Sequence, residues 1–503
     1  MKSTPWIIII LLSAHLGEAQ TYVGQILYRN TFEYAKLVCQ DDTCTFSIPY
    51  LDGDQHYPHA LRNEGYQEWE ISRQGTPWNF KTHFAAGTVT GTLELPSGQQ
   101  DIHLIEQLTS VAPENLSKFE GVYTDEENRR AIIYSRFNYL HLMSPYSEET
   151  MSLKAMGENS FWSVSGERSD FSEMAEGKFQ NLTIHISNKA SHHLTRIPDY
   201  KVDELWIPVG LDTLYALLFL PPSDLPVPAC LILPGGGAVG MDNYTYEARL
   251  FAAHGMAAMV FDKSGNGKSK GDGHFDHQSF EDKNEQYKAL FRYLQAHPKV
   301  DKQKTGVHGP SEGARLALMM AIDLGSDLAF AMAVAGPYMT LREGQLFAMD
   351  HHHRTMGLKQ SDNMKIQVIW NEYYDGILSG EIDPATITKA NAYRNMNDRL
   401  FLPPDGTRIP ISPQKDDIEN DRTVQEAGKI ETPLLLQYGE NDQRVDHMGS
   451  LRNLLPQLSH PERVTTIIYP RGNHSMMTPE YKICTGYTSD KINWLKHIGI
   501  IPE

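Results

Sequence analysis

The sequence predicts a chain in two parts: a β-rich N-terminal domain, then an α/β domain whose mostly parallel sheet is flanked by helices and interrupted by a helical insertion. Three observations carry that expectation. Residues 20 to about 198 consist of short alternating, β-branched or aromatic segments punctuated by Gly, Asn, Asp and Pro. From about residue 200, apolar runs alternate with helix-like stretches, the pattern of βαβ crossovers. One junction between run and helix is Gly309-Pro310-Ser311-Glu312-Gly313, a serine held between glycines.

The 503 residues are 40% apolar and 21% charged, with 38 Gly and 28 Pro, which fits a folded chain and excludes disordered, collagen-like and coiled-coil architectures. No period of about 20–50 residues recurs, which argues against a solenoid or propeller. Lys and Arg number 45 against 63 Asp and Glu, and the net charge of −18 disfavours a broad face for nucleic acid or anionic membrane.

At the N-terminus, Lys2 precedes the apolar run Trp6–Leu12, and the small residues Gly17 and Ala19 stand before Gln20. Together they read as a signal peptide over residues 1–19, directing export to a periplasmic or secreted location. The competing reading is an uncleaved anchor. The run falls short of the ~20 residues needed to cross a bilayer and no later stretch could span, so no stable membrane insertion is expected after cleavage. Export means an oxidising compartment, where Cys39 and Cys44, separated by Gln-Asp-Asp-Thr, can close a disulfide across a tight hairpin. Cys230 and Cys484 read as buried free thiols. Asn115, Asn181 and Asn243 stand in N-x-S/T sequons, which matter only in a eukaryotic secretory route.

Strand-like segments in residues 20–198 are Phe46–Pro49, Trp69–Ser72, Gly87–Leu95, Phe119–Tyr123, Arg130–Met143 and Leu182–Ile186, which suggest a sandwich or barrel-like meander. No site chemistry stands out there. The expected role is to shape or cover a neighbouring pocket, with ligand or glycan binding as the alternative.

In the second half the apolar runs Ala229–Leu233, Met256–Phe261, Leu328–Val334, Pro433–Gln437 and Val464–Tyr469 read as strands, and ligands in such sheets sit beyond the strands' carboxyl ends. Thr305–His308 leads into Ser311, and the residues after it continue as a helix through Ala314, Leu316, Ala317, Met320 and Leu324. That is the strand–turn–helix context of a nucleophile elbow, where glycines two places either side of the serine avoid backbone clashes. A base and an acid are expected after later strands, in the order serine, acid, histidine. Gly439-Glu440-Asn441-Asp442 supplies Asp442, with Asp446 and Glu440 in reserve, and Arg471-Gly472-Asn473-His474-Ser475 supplies His474. Leu233-Pro234-Gly235-Gly236-Gly237 lets backbone N–H groups approach a substrate oxygen; Gly236 and Glu312 are the expected oxyanion donors. A flexible loop or a phosphate cradle is the other reading of the triple glycine. Ser264-Gly265-Asn266-Gly267-Lys268-Ser269 imitates a P-loop, but Asp262 stands where that motif needs its first glycine.

The segment Asp262–Ser269 resembles the DKRGxGKS turn of the α/β-hydrolases, in the exported branch near serine aminopeptidases and dipeptidyl-peptidase-like esterases. Pro310–Gly313 is similar to that branch's HSEG elbow and Gly439–Asp442 to its GExD loop. The likeness covers roughly residues 200–503 and implies Ser311, Asp442 and His474 as the triad. Pro310, Ser264 and Pro234 depart from the usual His, Arg and His, but none of these departures removes a group that transfers a proton in the reaction, so the implied reaction class stands. Thr88–Leu95 and Phe119–Tyr123 look like the small β-domains often attached to secreted bacterial serine hydrolases. The expected layout is therefore a signal at 1–19, a β-rich accessory domain at 20–198 and an α/β-hydrolase domain at 199–503, with a cap insertion at 339–430.

That insertion shows helical patterns at Leu341–Met349, Ile366–Leu378 and Pro384–Met396 and would gate the pocket. Its His351-His352-His353 points three ways around a helix, a poor metal set that reads as a solvated face. Glu343, Glu372, Asp375 and Glu381 would hold a substrate amine only in an aminopeptidase. Neither metal nor cofactor is called for. The expected function is carboxylic-ester hydrolysis through an acyl-enzyme on a small-molecule ester or short peptide. An aminopeptidase or dipeptidyl peptidase and a non-catalytic binding protein on the same scaffold are the alternatives.

Overall fold

In the computed structural model, the described residues are 20–502 apart from 29–30, 41–42, 49–56, 61–64, 74–75, 86, 96–97, 107–110, 137–138, 148–149, 156, 164–166, 187–190, 272–273, 276–277, 398, 405–417 and 479–482. The signal expected at 1–19 lies outside them. No helix among them is long and apolar enough to cross a membrane. The chain divides into two compact units, Met1–Ala112 with Ser152–Arg168, and Pro113–Met151 with Ser169–Glu503.

The β-rich expectation holds from residue 20 to residue 197. An eight-stranded antiparallel sheet runs in the order 57–60, 43–47, 31–40, 20–28, 98–106, 88–95, 76–85 and 65–73. Alternation places one side chain in two inward: Trp78, Phe80, Thr82 and Phe84 are buried while Pro77, Lys81, His83 and Ala85 face water. Cys39 and Cys44, directly opposite in the register of neighbouring strands, are joined by a disulfide. A second set of eight strands, from Gly121–Thr124 to His192–Ile197, forms a closed barrel, which abolishes sheet edges.

The α/β part centres on β1 (Lys201–Val209), β2 (Asp212–Leu220), β3 (Val227–Ile232), β4 (Ala257–Phe261), β5 (Val300–Pro310), β6 (Ala331–Val334), β7 (Leu434–Gly439) and β8 (Val464–Tyr469). They lie in the order β1-β2-β4-β3-β5-β6-β7-β8; β2 is antiparallel to both its neighbours, and the strands from β4 to β8 are parallel. This is the α/β-hydrolase fold. Helices α1 (Thr245–Ala253), α2 (Phe280–Gln295) and α3 (Glu312–Leu324) make the crossovers from β3 to β6. The central strands are buried on both faces, so they read as unbroken apolar runs rather than alternating ones.

Between β6 and β7 stand α4 (Leu341–Thr355), α5 (Gln360–Ser379) and α6 (Pro384–Met396), packed on a core of their own that includes Met349, Ile366, Trp370 and Tyr373. The three begin at a capping box of Thr340 and Glu343, at Lys359, and at Asp383 ahead of Pro384. Buried Arg315 of α3 ties down both ends of the segment: its guanidinium donates to the carbonyls of Pro337 (2.7 Å) and Met339 (2.6 Å) and pairs with Asp421 at 2.9 Å. Two further helices, α7 (His447–Leu454) and α8 (Tyr487–His497), follow β7 and β8.

Under the sheet, α1, β5 and α8 meet through a buried polar cluster. Glu247 Oε1 lies 2.6 Å from His308 Nε2 and 2.5 Å from Lys491 Nζ, and it accepts the Tyr487 hydroxyl at 3.2 Å. Burial works to raise the Glu247 pKa, but the charges of His308 and Lys491 and their hydrogen bonds outweigh it and hold the carboxyl below its ordinary range. A folded-state value below the unfolded one stabilises fully above about pH 4.3 and is lost as pH falls further. Glu247→Gln is expected to cost about 3–5 kcal/mol in denaturant unfolding at pH 7 and to flatten the loss of stability between neutral and acid pH. An unchanged acid slope would remove Glu247 from the cluster's energetics.

Candidate active site

The three residues singled out in separate loops converge. Ser311 ends β5 and begins α3 in a left-handed conformation, φ 55° and ψ −117°, uncommon for a residue with a side chain. Its N–H donates to the Val334 carbonyl at 2.7 Å, and its carbonyl accepts from Ala314 at 3.0 Å. The flanking glycines are dictated by contact. A Cβ on Gly309 would sit 2.2 Å from the Gly313 carbonyl oxygen, and one on Gly313 would sit 2.5 Å from that of Leu233.

His474 Nε2 stands 3.1 Å from Ser311 Oγ, and Nδ1 stands 2.8 Å and 3.0 Å from the two carboxylate oxygens of Asp442. A carboxylate accepts, so Nδ1–H donates to Asp442 and Nε2 is left to accept the serine proton. The Asp442 side chain is fully buried; its Oδ1 also accepts the N–H groups of Arg444 (2.7 Å) and Val445 (2.9 Å), which fixes the carboxylate plane. The reserve acids are engaged elsewhere. Asp446 caps α7 through the Gly449 N–H at 2.8 Å, and Glu440 accepts the Arg471 N–H at 2.9 Å.

Two glycines bring the acid and histidine loops together, and sequence reasoning quoted both without assigning them this part. A Cβ on Gly439 would lie 2.3 Å from the carbonyl oxygens of Gly472 and Asn473, and one on Gly472 would lie 2.7 Å from Cys484 Sγ. The Asn441 N–H donates to the Gly472 carbonyl at 2.7 Å across the junction. A glycine a few residues ahead of each of Asp442 and His474 was the available signal.

The triple-glycine loop packs beside the elbow. Gly235 donates its N–H to the Tyr244 hydroxyl at 2.8 Å, and a Cβ on Gly236 would lie 3.5 Å from Glu312 Oε2. Gly236 and Glu312, the two expected oxyanion donors, are thus neighbours. Glu312 N–H also opens α3, at the positive end of the helix. The segment that imitates a P-loop is a turn wound on Asp262, which accepts the N–H groups of Met241 (3.1 Å) and Lys268 (2.8 Å).

Beside Glu312 opens a cavity of about 260 Å³ beneath the inserted helices. Its apolar wall includes Phe280, Leu341, Trp370, Tyr373, Tyr374 and Ile377; burial pushes the Tyr373 phenol up to about 12, so it stays neutral. Among the described residues, the charged ones lining the cavity, Lys283 and Glu312, pair with each other at 2.8 Å. Of the acidic residues singled out in the insertion, Glu343 serves its capping box, Glu372 pairs with Lys389 (2.8 Å) and Asp375 with Arg342 (2.8 Å), while Glu381 is exposed. The three histidines diverge, but not as one solvated face. His351 is exposed, His352 Nε2 contacts the Arg399 carbonyl at 3.0 Å, and His353 is buried between Asn363 Oδ1 (2.9 Å) and the Phe401 N–H (3.0 Å).

Compared with known proteins, residues 226–480 match the sequence model of the family described as "Serine aminopeptidase, S33". No curated protein sequence matches the chain. Solved structures similar to it include the α/β hydrolase GrgF from Penicillium sp. sh18 (16% identity, 60% of this chain and 99% of that one, TM-score 0.39). Est1E from Butyrivibrio proteoclasticus with bound ferulic acid is 15% identical over 58% of this chain and 96% of that one, with a TM-score of 0.39. Proline iminopeptidase from Mycobacterium smegmatis is 15% identical over 59% and 98%, with a TM-score of 0.38.

Gly439→Ala should lengthen the Asp442–His474 contact beyond hydrogen bonding in a crystal structure of the variant and lower unfolding free energy by about 1–3 kcal/mol. An undisturbed contact would show that the two loops absorb the methyl group.

Proposed function

The chain belongs to the serine aminopeptidase family S33 of the α/β-hydrolases, and from that premise we propose that it is a serine hydrolase that cleaves small carboxylic esters through an acyl-enzyme. The observation that carries this reading is the unbroken hydrogen-bonded line from Asp442 through His474 to Ser311.

In the proposed reaction the Ser311 hydroxyl oxygen bonds to the ester carbonyl carbon while His474 Nε2 takes its proton. The carbonyl electrons move onto oxygen, and the N–H groups of Gly236 and Glu312 receive that oxyanion. The tetrahedral species collapses by breaking the bond to the alcohol oxygen, which leaves with the proton from His474. Water then gives its proton to His474 and adds to the acyl carbon, and collapse releases the acid and restores Ser311. Asp442 holds the imidazole tautomer throughout.

Esters are preferred to peptides in this reading because the cavity beside Glu312 is aromatic and Lys283 and Glu312, the charged residues among its described lining, neutralise each other, which favours an uncharged group over a free α-amine. The family description favours the second reading, an aminopeptidase, in which Glu312 would receive the amine. The inserted helices act as a cap in either case. Export from residues 1–19 completes the proposal, in keeping with the Cys39–Cys44 disulfide.

Ser311→Ala should abolish labelling by a fluorophosphonate probe and lower turnover of p-nitrophenyl esters by several orders of magnitude; full labelling of the variant would reject the nucleophile. Trp370→Ala should raise KM for aryl esters about tenfold with little effect on acetyl esters. Turnover of aminoacyl arylamides that exceeds that of esters and vanishes on blocking the amine would establish the peptidase instead.

A further inference from the structure

The proposed reaction needs the Gly236 N–H to keep one direction, yet Gly235-Gly236-Gly237 is the stretch least able to hold a peptide plane by its own sterics. Gly237 stands at φ 71° and is exposed, and Gly236 is half-buried at the site. Peptide bonds among the described residues are trans, so in each plane the carbonyl and the following N–H point in opposite directions. Whatever holds the Gly235 carbonyl therefore aims the Gly236 N–H.

Lys263 holds it. This lysine follows β4 and is 1% exposed. Its Nζ donates to the Gly235 carbonyl at 2.8 Å and to the Gly237 carbonyl, and it lies 4.3 Å from the centroid of the Phe275 ring. Its backbone is anchored in the turn on Asp262, and its carbonyl accepts the Asn266 N–H at 3.0 Å. On the other side of Gly235, the Tyr244 hydroxyl takes the N–H. Turning the 235–236 plane over would break a charge-assisted hydrogen bond of a buried ammonium and bring a carbonyl, not a donor, toward the site.

We propose that Lys263 is a positioning residue for the oxyanion donor: by gripping the carbonyls of Gly235 and Gly237 it keeps the Gly236 N–H pointed at the substrate oxygen. The inference rests on the acyl-transfer reading above. It gives a role to a segment whose P-loop likeness is accidental, and it accounts for a charged side chain at full burial. Glu312 N–H is set by α3 instead, so only one of the two donors depends on Lys263.

The test compares wild type with Lys263→Met, which keeps most of the stem and removes the donors. With sites counted by fluorophosphonate titration, kcat for p-nitrophenyl butyrate should fall about 10²–10³-fold while KM stays within about threefold. The preference for an oxo ester over its thiono analogue, which reads the oxyanion contact rather than packing, should shrink, and Lys263→Arg should recover part of both. A kcat within threefold of wild type, or a fall with the oxo-to-thiono preference intact, overturns the proposal. A crystal structure of the wild-type phosphonate adduct tests it without any variant. The phosphoryl oxygen should accept from Gly236 while the Gly235 carbonyl stays on Lys263; a Gly235 carbonyl turned off Lys263 overturns it. A wild-type protein that neither labels nor turns over esters overturns the acyl-transfer reading, and this inference with it.

Discussion

Backbone pressed against backbone, with no side chain between, is the constraint on which the rest of this molecule depends. The elbow at Ser311 closes because Gly309 lies on Gly313 and Gly313 on Leu233, and the acid and histidine loops meet because Gly439 lies on Gly472 and Asn473. A serine can stand 3.1 Å from an imidazole that is itself 2.8 Å from a carboxylate only if their carrier loops approach more closely than any Cβ allows. The strained φ of Ser311 is the local cost, held by the sheet bond to Val334 and by the first turn of α3.

Residues with a local signature were legible in the sequence, and residues defined by distant partners were not. Ser311, Asp442 and His474 each follow an apolar run at a turn, so strand context and chain order sufficed to place them in loops at one end of the sheet. Strands β3, β4, β6 and β7 were legible because buried parallel strands read as largely apolar runs, and β8 because Val464–Tyr469 is β-branched and aromatic. By contrast β1 carries Lys, Asp and Glu between its apolar residues and lies largely exposed, which hid it, and β2 with it. The N-terminal barrel was foreseen only as β-rich because closure depends on pairing between strands far apart in sequence. His353 looked like one of three solvated histidines; its burial depends on Asn363 and on Phe401 arriving from another segment.

Two clusters use buried charge to different ends. Glu247 pairs with both His308 and Lys491 beneath the sheet and so knits α1, β5 and α8 into one body. Lys263 is instead satisfied largely by main-chain carbonyls and by an aromatic face, so its hydrogen bonds act on peptide planes. Removal of one partner strands the other in both places, so piecemeal change is costly in either cluster.

The chain leaves the sheet after Val334, builds three helices with a core of their own, and re-enters at Leu434 directly beside the strand it left. Its two ends are gripped by Arg315 on the helix that follows Ser311. Closure entropy grows only logarithmically with the length of such an excursion, so lengthening or replacing it disturbs the sheet little. Selection, or an engineer, can therefore exchange the helices over the cavity as a cassette between fixed endpoints, and new cavity linings can arise without rebuilding the sheet beneath.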